Sequence, residues 1–382
     1  MANIQLYHAL FFVFIGFIFG WTIAVVTILD MKCLNITFPM EMFEYRDQIS
    51  GARFNEIQAD YSEESHVRKV FFNSSFVKNM STQNSSRTRH STKPVIRLRD
   101  KLNVYYFNND SWTNSSNLIE DFNTSSFIKT NLHTTAGGTP IYIHDPKEDE
   151  WISRLLLQSN AWEWSNVNLM IDFIKRHRHS AFLDIGANLG VFSLSVAKHN
   201  RKVIAVEPLK SNSDRLCASI LDGKLTNLIT MIRNPMSDLH ENVTLATAKK
   251  NIGGTFVVHS KAEADNERLV HHSGTSLQTV TLDDLLQLPG FNVSSVVMKI
   301  DVEGFESRVL RGGENFFRRV KVMAVLMEWM KQKKAKHIKD AEYIIDFMTR
   351  HGLQPTNPFI WATKLNLKLF NQWPKDILWR RL

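Results

Sequence analysis

The sequence predicts an α/β domain built on a mostly parallel, doubly wound sheet, preceded by one membrane-spanning segment and an irregular stem. Three observations carry this. Residues 9–29, "ALFFVFIGFIFGWTIAVVTIL", form an apolar run. Between residues 35 and 125 the glycosylation pattern Asn-x-Ser/Thr recurs. From residue 151 onward short apolar runs alternate with stretches of helical period.

The first 29 residues contain no Asp, Glu, Lys or Arg. A helix needs ~20 apolar residues to cross a bilayer, and the run supplies 21. A cleaved signal peptide has a core of ~7–15 residues and a small-x-small cleavage site, which "TILDMKC" lacks. Residues 9–29 are therefore expected to be a retained signal-anchor, with 1–8 a short cytosolic tail. Flanking charge says little about orientation, because no Lys or Arg precedes the run and just Asp30 and Lys32 follow closely. The sequons say more. They begin at Asn35, Asn73, Asn79, Asn84, Asn109, Asn114, Asn123, Asn242 and Asn292, and seven of the nine lie before residue 125. This clustering predicts a lumenal stem over 30–135. The protein is expected to be a single-pass type II membrane protein of the Golgi or another secretory-pathway membrane, with its folded domain lumenal. Within the stem, "VIRLRDKLNVYYF" has the makings of a strand or short helix. "TTAGGTP" (134–140) marks a boundary, since Gly and Pro punctuate structure, and the domain is expected over 136–382.

Composition allows a packed core: 382 residues, 43% hydrophobic. The net charge of +8 suits acidic partners without choosing among them. "KQKKAKHIK" (331–339) reads as a solvated helix face, and no nucleic-acid partner is expected. Two cysteines make neither a metal cluster nor a disulfide framework. Cys217, inside "RLCASIL", reads as core packing. Cys33, just beyond the apolar run, offers an intermolecular disulfide and with it a homodimer.

Along the domain, "WISRLLLQSNAWEW" and "NVNLMIDFIKRHRH" carry apolar residues at helical spacing. "WEW" (162–164) reads equally as an aromatic wall or as core. Then strand and helix patterns alternate: "SAFLDIG" with "LGVFSLSVAKHN", "KVIAVEP" with "SNSDRLCASILDG", and the strand "NLITMIRNPMSD". "SVVMKIDVEG" follows with "FESRVLRGGENFF", and "VKVMAVLMEWM" with "DAEYIIDFMTRHG". Apolar runs that do not alternate suit parallel strands buried on both faces. Strand–helix repetition argues the doubly wound arrangement.

Several strands end in an acid: Asp184, Glu207, Asp301 and Glu328, with Asp238 closing "MIRNPMSD". Ligands of such sheets bind outside the carboxyl ends of the strands, so these carboxylates should gather around one site. Helix capping would account for one or two of them. The loop "FLDIGANLGVF" (182–192) lacks the third glycine of a dinucleotide site, which argues against a nicotinamide oxidoreductase. An acid two residues before the first glycine suits a ligand with an ammonium group and no phosphate. S-adenosylmethionine has that group, with a sulfonium and a ribose diol. Glu207, 23 residues beyond Asp184, is placed to accept both ribose hydroxyls.

"FLDIGANLGVF", "VIAVEP", "NPMSD…NVTL", "VTLDDL" and "MKIDVEGFESRVLRGG" occur in order. With these motifs, residues 140–382 resemble the FkbM-type S-adenosylmethionine-dependent methyltransferases. The resemblance implies a Rossmann-like class I methyltransferase fold and O-methylation of a hydroxyl, often on a sugar or polyketide. It implies that Asp184, Gly186, Asn188 and Gly190 cradle the amino-acid end of the cofactor, Glu207 the ribose and Asp238 the adenine edge. The anchor and stem lie outside the family pattern and leave the acceptor open among sugar, lipid and protein hydroxyls. A secretory location favours a glycan. The alternative is a non-enzymatic membrane glycoprotein retaining the fold.

Lys299, Asp301 and Glu303 alternate in "KIDVEG". If the strand persists to Glu303, all three share one face. If it ends near Asp301, the turn before Gly304 aims Glu303 separately. A carboxylate beside the methyl group would take the hydroxyl proton, with Lys299 paired to it and keeping it ionised. Alignment of oxygen, carbon and sulfur matters as much. A structural ion-pair network is the competing reading, and a divalent metal at Asp301 a further one. No His/Cys cluster supports zinc. His271 and His272, in an expected loop, offer an alternative base. "TLDD" (281–284) reads as a helix cap with first-turn acids.

Overall fold

The structure, a computed structural model, describes residues 102–115, 124–258, 269–271, 276–359 and 363–381. The chain divides into two units, and the described residues belong to the second, Arg89–Leu382. The expected tail and anchor, Cys33, His272 and the sequons at Asn35, Asn73, Asn79, Asn84 and Asn123 lie outside the described residues. Among the described residues no helix is long and apolar enough to cross a membrane.

Two hairpins open the fold: β1 (Asn103–Asn108) with β2 (Ser111–Asn114), and β3 (Ile128–Leu132) with β4 (Thr139–Ile143). Helices α1 (Ile152–Ser159) and α2 (Trp164–Arg176) follow. Then β5 (Ala181–Ile185), α3 (Val191–Lys198), β6 (Val203–Val206), α4 (Lys210–Asp222) and β7 (Ile229–Ile232) alternate. A small antiparallel sheet interrupts: β8 (Asn242–Ala248), β9 (Asn251–Val258), β10 (Leu269–His271) and β11 (Leu277–Gln278). The alternation resumes with β12 (Ser295–Ile300), α5 (Glu306–Arg311), α6 (Glu314–Arg319) and β13 (Lys321–Glu328). It ends with α7 (Ile338–Arg350), β14 (Gln354–Thr356) and β15 (Asp376–Arg380).

The main sheet has nine strands in the order β14-β15-β13-β12-β5-β6-β7-β1-β2. Six neighbours, β13 to β1, run parallel, while β15 and β2 run antiparallel to their neighbours. From β5 the chain winds outward through β6 and β7, then returns to the other side of β5 with β12 and β13. The direction therefore reverses between β5 and β12, where the carboxyl ends of strands open a crevice.

Strand side chains alternate between two layers. Phe182 and Val297 join a core with Met170, Phe192 and Leu216 of α2, α3 and α4. Leu183, Ile185, Met298 and Ile300 join the opposite core with Leu310, Phe317 and Phe347 of α5, α6 and α7. The short apolar runs anticipated this two-sided burial. Cys217 is wholly buried in α4, as expected.

The structure departs from the sequence reading at three places. Residues 103–132, placed in the stem, supply three strands; the first falls in "VIRLRDKLNVYYF", where a strand or short helix was expected, and the other two were not foreseen. "NVYYFN" pairs in parallel with β7, and the buried Asn234 holds it by accepting from the Phe107 N–H and donating to the Phe107 carbonyl, both at 2.8 Å. "KQKKAKHIK" is not one helix face but a turn and a 3-10 segment leading into α7. "TLDD" caps a 3-10 turn, Asp283–Gln287, through Thr281, whose N–H and hydroxyl donate to Asp284 Oδ2 at 2.7 and 2.6 Å.

Candidate functional site at the strand ends

The glycine turn after β5 adopts backbone conformations that need its composition. Gly186, Asn188 and Gly190 all have positive φ, 83°, 53° and 87°. A Cβ at Gly186 would lie 1.8 Å from the Asp301 carbonyl oxygen, and one at Gly190 would lie 2.2 Å from Leu216 Cδ1. The N–H groups of Gly186 and Ala187 donate to the Val206 carbonyl, and that of Asp301 to the Ile185 carbonyl at 3.0 Å. The ends of β5, β6 and β12 are thus tied together at the reversal point.

Glu207 is the centre of this arrangement. Its Oε2 accepts from the Asn188 N–H at 2.8 Å and its Oε1 from the Leu209 N–H at 2.9 Å. Burial pushes its pKa up to about 7, against these hydrogen bonds. Asp184, on the neighbouring strand, is sealed from solvent and takes the Ser193 hydroxyl at 2.6 Å on Oδ2. Its Oδ1 is buried with no donor among the described residues. Burial raises the Asp184 carboxyl above its usual range, opposed by Lys299 and Ser193.

Asp238 lies apart from the glycine turn in its contacts. Its Oδ1 binds Arg308 Nε of α5 at 2.7 Å and the Ser237 hydroxyl at 3.1 Å. Burial would raise its pKa, but Arg308 holds it below the usual carboxylate range.

On the other side of the crevice, β12 ends at Ile300, so the separate-turn alternative holds. Lys299 is buried and donates to Asp301 Oδ2 at 3.0 Å, with its ammonium 5.0 Å from the Phe192 ring centre. Burial alone would lower its pKa, but Asp301, Asp184 and Glu163 hold it above the usual range. Glu303, at φ 55°, turns away from this pair and meets Lys331 at 3.1 Å. Burial and the nearby Asp301 raise its pKa. Glu328 closes β13, and burial with the charges of Asp301 and Glu303 pushes its pKa up to about 8.

Sequence reasoning missed four contributors. Glu306 is buried, accepts the N–H groups of Val302 and Gly304 at 3.2 Å on Oε1, and takes Gln332 Nε2 at 2.6 Å on Oε2. It holds the turn that carries Asp301 and Glu303. "DVEGFE" contains it, but nothing in its spacing distinguishes it from a first-turn helix acid. Glu163, at φ 47° beside Lys375, and Asp376, accepting Asn166 Nδ2 at 3.1 Å, bring two more acids near Lys299 and Asp301. Gly253 of β9 lets the hairpin close on the turn: Asn188 Nδ2 donates to its carbonyl at 3.2 Å. A Cβ there would lie 2.4 Å from Ile152 Cδ1 and 2.9 Å from Asn188 Nδ2. The "GG" pair in "NIGGTF" was the available signal. His271 falls in β10, and its side chain lies outside the described residues.

The crowding at Gly186 has a measurable consequence. Gly186→Ala must move the Asp301 carbonyl as well as adopt a positive φ, and is expected to cost about 3 kcal/mol or more. Gly290→Ala has a similar φ of 78° but nothing within 4 Å, and strain alone should cost about 1–2 kcal/mol. Denaturant unfolding compares the two. Equal losses would show that the contact with Asp301 carries no weight.

Residues 184–355 match the model of the methyltransferase FkbM domain. No curated protein matches the sequence significantly. Solved structures that resemble the chain include cofactor-bound Rv0187 of MTB, at 12% identity, covering 58% of this chain and 81% of that one, with a TM-score of 0.33. An FkbM methyltransferase of Methylobacillus flagellatus KT shows 14% identity over 52% of this chain and 43% of its own, with a TM-score of 0.32. An O-methyltransferase of Bacillus cereus in complex with SAH shows 8% identity over 63% and 92%, with a TM-score of 0.35. The strand order carries the fold assignment without them. Residues 184–355, with the glycine turn at one end and the sheet reversal inside, are thus similar to a methyltransferase FkbM domain, on the mostly parallel, doubly wound sheet of a class I methyltransferase-like fold.

Proposed function

We propose that the chain is an S-adenosylmethionine-dependent O-methyltransferase that acts on a glycan hydroxyl in the secretory lumen. The observation that carries the reading is the pair of acids held on either side of the reversal point: Glu207, tied to the glycine turn, and Asp301, tied to Lys299. The residues fit the cofactor. The buried, donorless Oδ1 of Asp184 is costly to leave unpaired, about 1–3 kcal/mol, and an ammonium group removes that cost. Glu207 Oε2 has the Asn188 N–H as its one donor among the described residues and keeps a second lone pair for a ribose hydroxyl, while Oε1 takes Asn212 Nδ2 at 3.5 Å besides the Leu209 N–H. Asp238 is engaged by Arg308, so an adenine contact there would share its carboxylate.

S-adenosylmethionine, when bound, supplies the methyl group and its sulfur leaving group. This chain's residues do the rest. Asp301 takes the acceptor hydroxyl's proton as oxygen bonds to the methyl carbon, and Lys299 fixes the carboxylate's position. Glu306 keeps the turn rigid, so that Asp301 holds its place during transfer. Glu303 and Glu328, both raised by burial, line the same side and offer polar contacts to a hydroxyl-rich acceptor.

Transfer of a labelled methyl group by the full chain to a panel of glycans, with product analysis, tests the activity. Asp301→Asn should lower turnover roughly 100-fold, the scale of a positioned general base, while leaving melting temperature and cofactor affinity nearly unchanged. Full activity in the folded variant would move the base elsewhere. Parallel loss of cofactor affinity would make Asp301 a binding residue.

Cofactor affinity should also depend on pH through Glu207. The ionised carboxylate is the better acceptor for ribose hydroxyls, and its pKa is pushed up to about 7. Affinity should therefore rise about tenfold from about pH 6 to about pH 8. Glu207→Gln should flatten that rise, as calorimetry would show. An unchanged profile would remove Glu207 from the ribose site.

Location has its own support. The four described sequon asparagines, Asn109, Asn114, Asn242 and Asn292, are all exposed. Glycosidase treatment of cell-expressed protein should increase gel mobility by several glycans' worth. An unaltered band would overturn the lumenal placement.

A further inference from the structure

We propose that the amino-terminal edge of the parallel sheet, opposite the crevice, is a docking surface for a sulfated polysaccharide. The segments that close the preceding helices and enter β5, β6, β7, β12 and β13 all lie at this edge. They span residues 175–180, 198–202, 223–228, 288–294 and 318–321 and contain no Asp or Glu; ten Lys or Arg fall in the four segments other than 288–294, which carries the sequon Asn292. Five strands spaced ~4.8 Å apart make the strip about 19 Å wide.

The charges converge in space. His177, besides its burial, feels both Arg176 at the end of α2 and Lys321 at the start of β13. His199, beyond α3, feels Lys175 of α2, opposed by Asp172 of the same helix. Some of this charge has a structural explanation. Arg201 donates to the Ile174 carbonyl at 2.6 Å and to that of Arg178, where cations complement a helix C-terminus. Lys175 and Arg319 also lie in the last turns of α2 and α6, whereas Arg178 and Lys321 lie beyond a helix end; unlike Arg201, none of these four side chains has a hydrogen bond to a helix carbonyl among the described residues. They are exposed, and none has an ion-pair partner among the described residues.

The surface selects its partner by what it lacks. The exposed large apolar side chains, such as Trp151, Leu239 and Phe359, all lie outside these segments. Single-stranded nucleic acid would want aromatic platforms for its bases, and a bilayer would want apolar side chains to insert. A sulfated polysaccharide needs neither. It presents oxyanions at intervals along a chain, and the guanidinium fork of arginine meets such groups through paired hydrogen bonds. The edge lies a strand's length from the crevice, about 16 Å, so one polymer could be held there without filling the site. The proposal uses the functional reading just in preferring a polysaccharide.

Heparin serves as the probe, with the full chain and no methyl donor, so the outcome is independent of methyl transfer. The chain should bind heparin at about 0.15 M salt, and the quadruple variant K175Q/R178Q/R319Q/K321Q should bind about tenfold or more weakly, with a shallower salt dependence. K333Q/K334Q/K336Q/K339Q, which removes the same charge elsewhere, should bind like the unaltered chain. Three results would overturn the proposal. The first is no binding at that salt, and the second an equal loss in both variants. The third is edge-dependent binding of duplex DNA or phosphatidylserine vesicles as tight as that of heparin.

Discussion

The approach of Gly186 to the Asp301 carbonyl is the contact on which the site depends. Two strand ends meet there with no room for a methyl group, and the Asp301 N–H returns a hydrogen bond to Ile185. Because β5 and β12 are neighbours with opposite onward directions, this contact is what keeps the crevice at a defined width. Glu207 then fastens the glycine turn to β6, and Glu306 fastens the Asp301 turn to α5. Each acid thus holds backbone first, and its availability for chemistry follows from that.

The electrostatics have one theme. Carboxylates are concentrated in a poorly hydrated place, which raises Glu163, Glu207 and Glu306 to about 7. Lys299 and Lys375 are raised as well, against their own burial: Asp301, Asp184 and Glu163 keep the charge of the first, and Glu163, Asp376 and Glu328 that of the second. Gathering like charges out of water is unfavourable unless each finds a partner, and the lysines between the acids meet that need. An acceptor entering such a pocket finds many oxygen acceptors near neutral pH. That suits hydroxyl groups better than anions.

Much of this was legible in the sequence because it rests on local rules. Unalternating apolar runs announced strands buried on two faces, and acids at their ends announced the crevice. Asp184, Gly186, Asn188, Gly190 and Glu207 are brought together as the loop and second-strand acid suggested. What escaped depends on contacts far apart in the chain. Nothing near Glu163 or Asp376 reveals that they lie across from Lys299. "NVYYFN" was readable as a strand or short helix but not as part of the main sheet, because sequons and polar residues surround it and its partner strand comes more than a hundred residues later. The hairpin of β8 and β9 is rich in Thr and Gly, so its apolar pattern is weak. Asp238 was placed by analogy, and its pairing with Arg308 of a distant helix was not visible from spacing.

The pairing of β1 with β7 bears on how the domain is to be handled as a separate piece. A fragment beginning at the Gly-Pro boundary near residue 136 would keep every residue of the crevice and lose the strand that covers β7. It would leave a row of unsatisfied peptide groups along a central, parallel strand never shaped to face water, without the bulges or charged side chains by which natural sheet margins avoid association. Such a fragment has a template for joining its copies side by side. The segment placed in the stem is, in that sense, the margin that covers the sheet at β7.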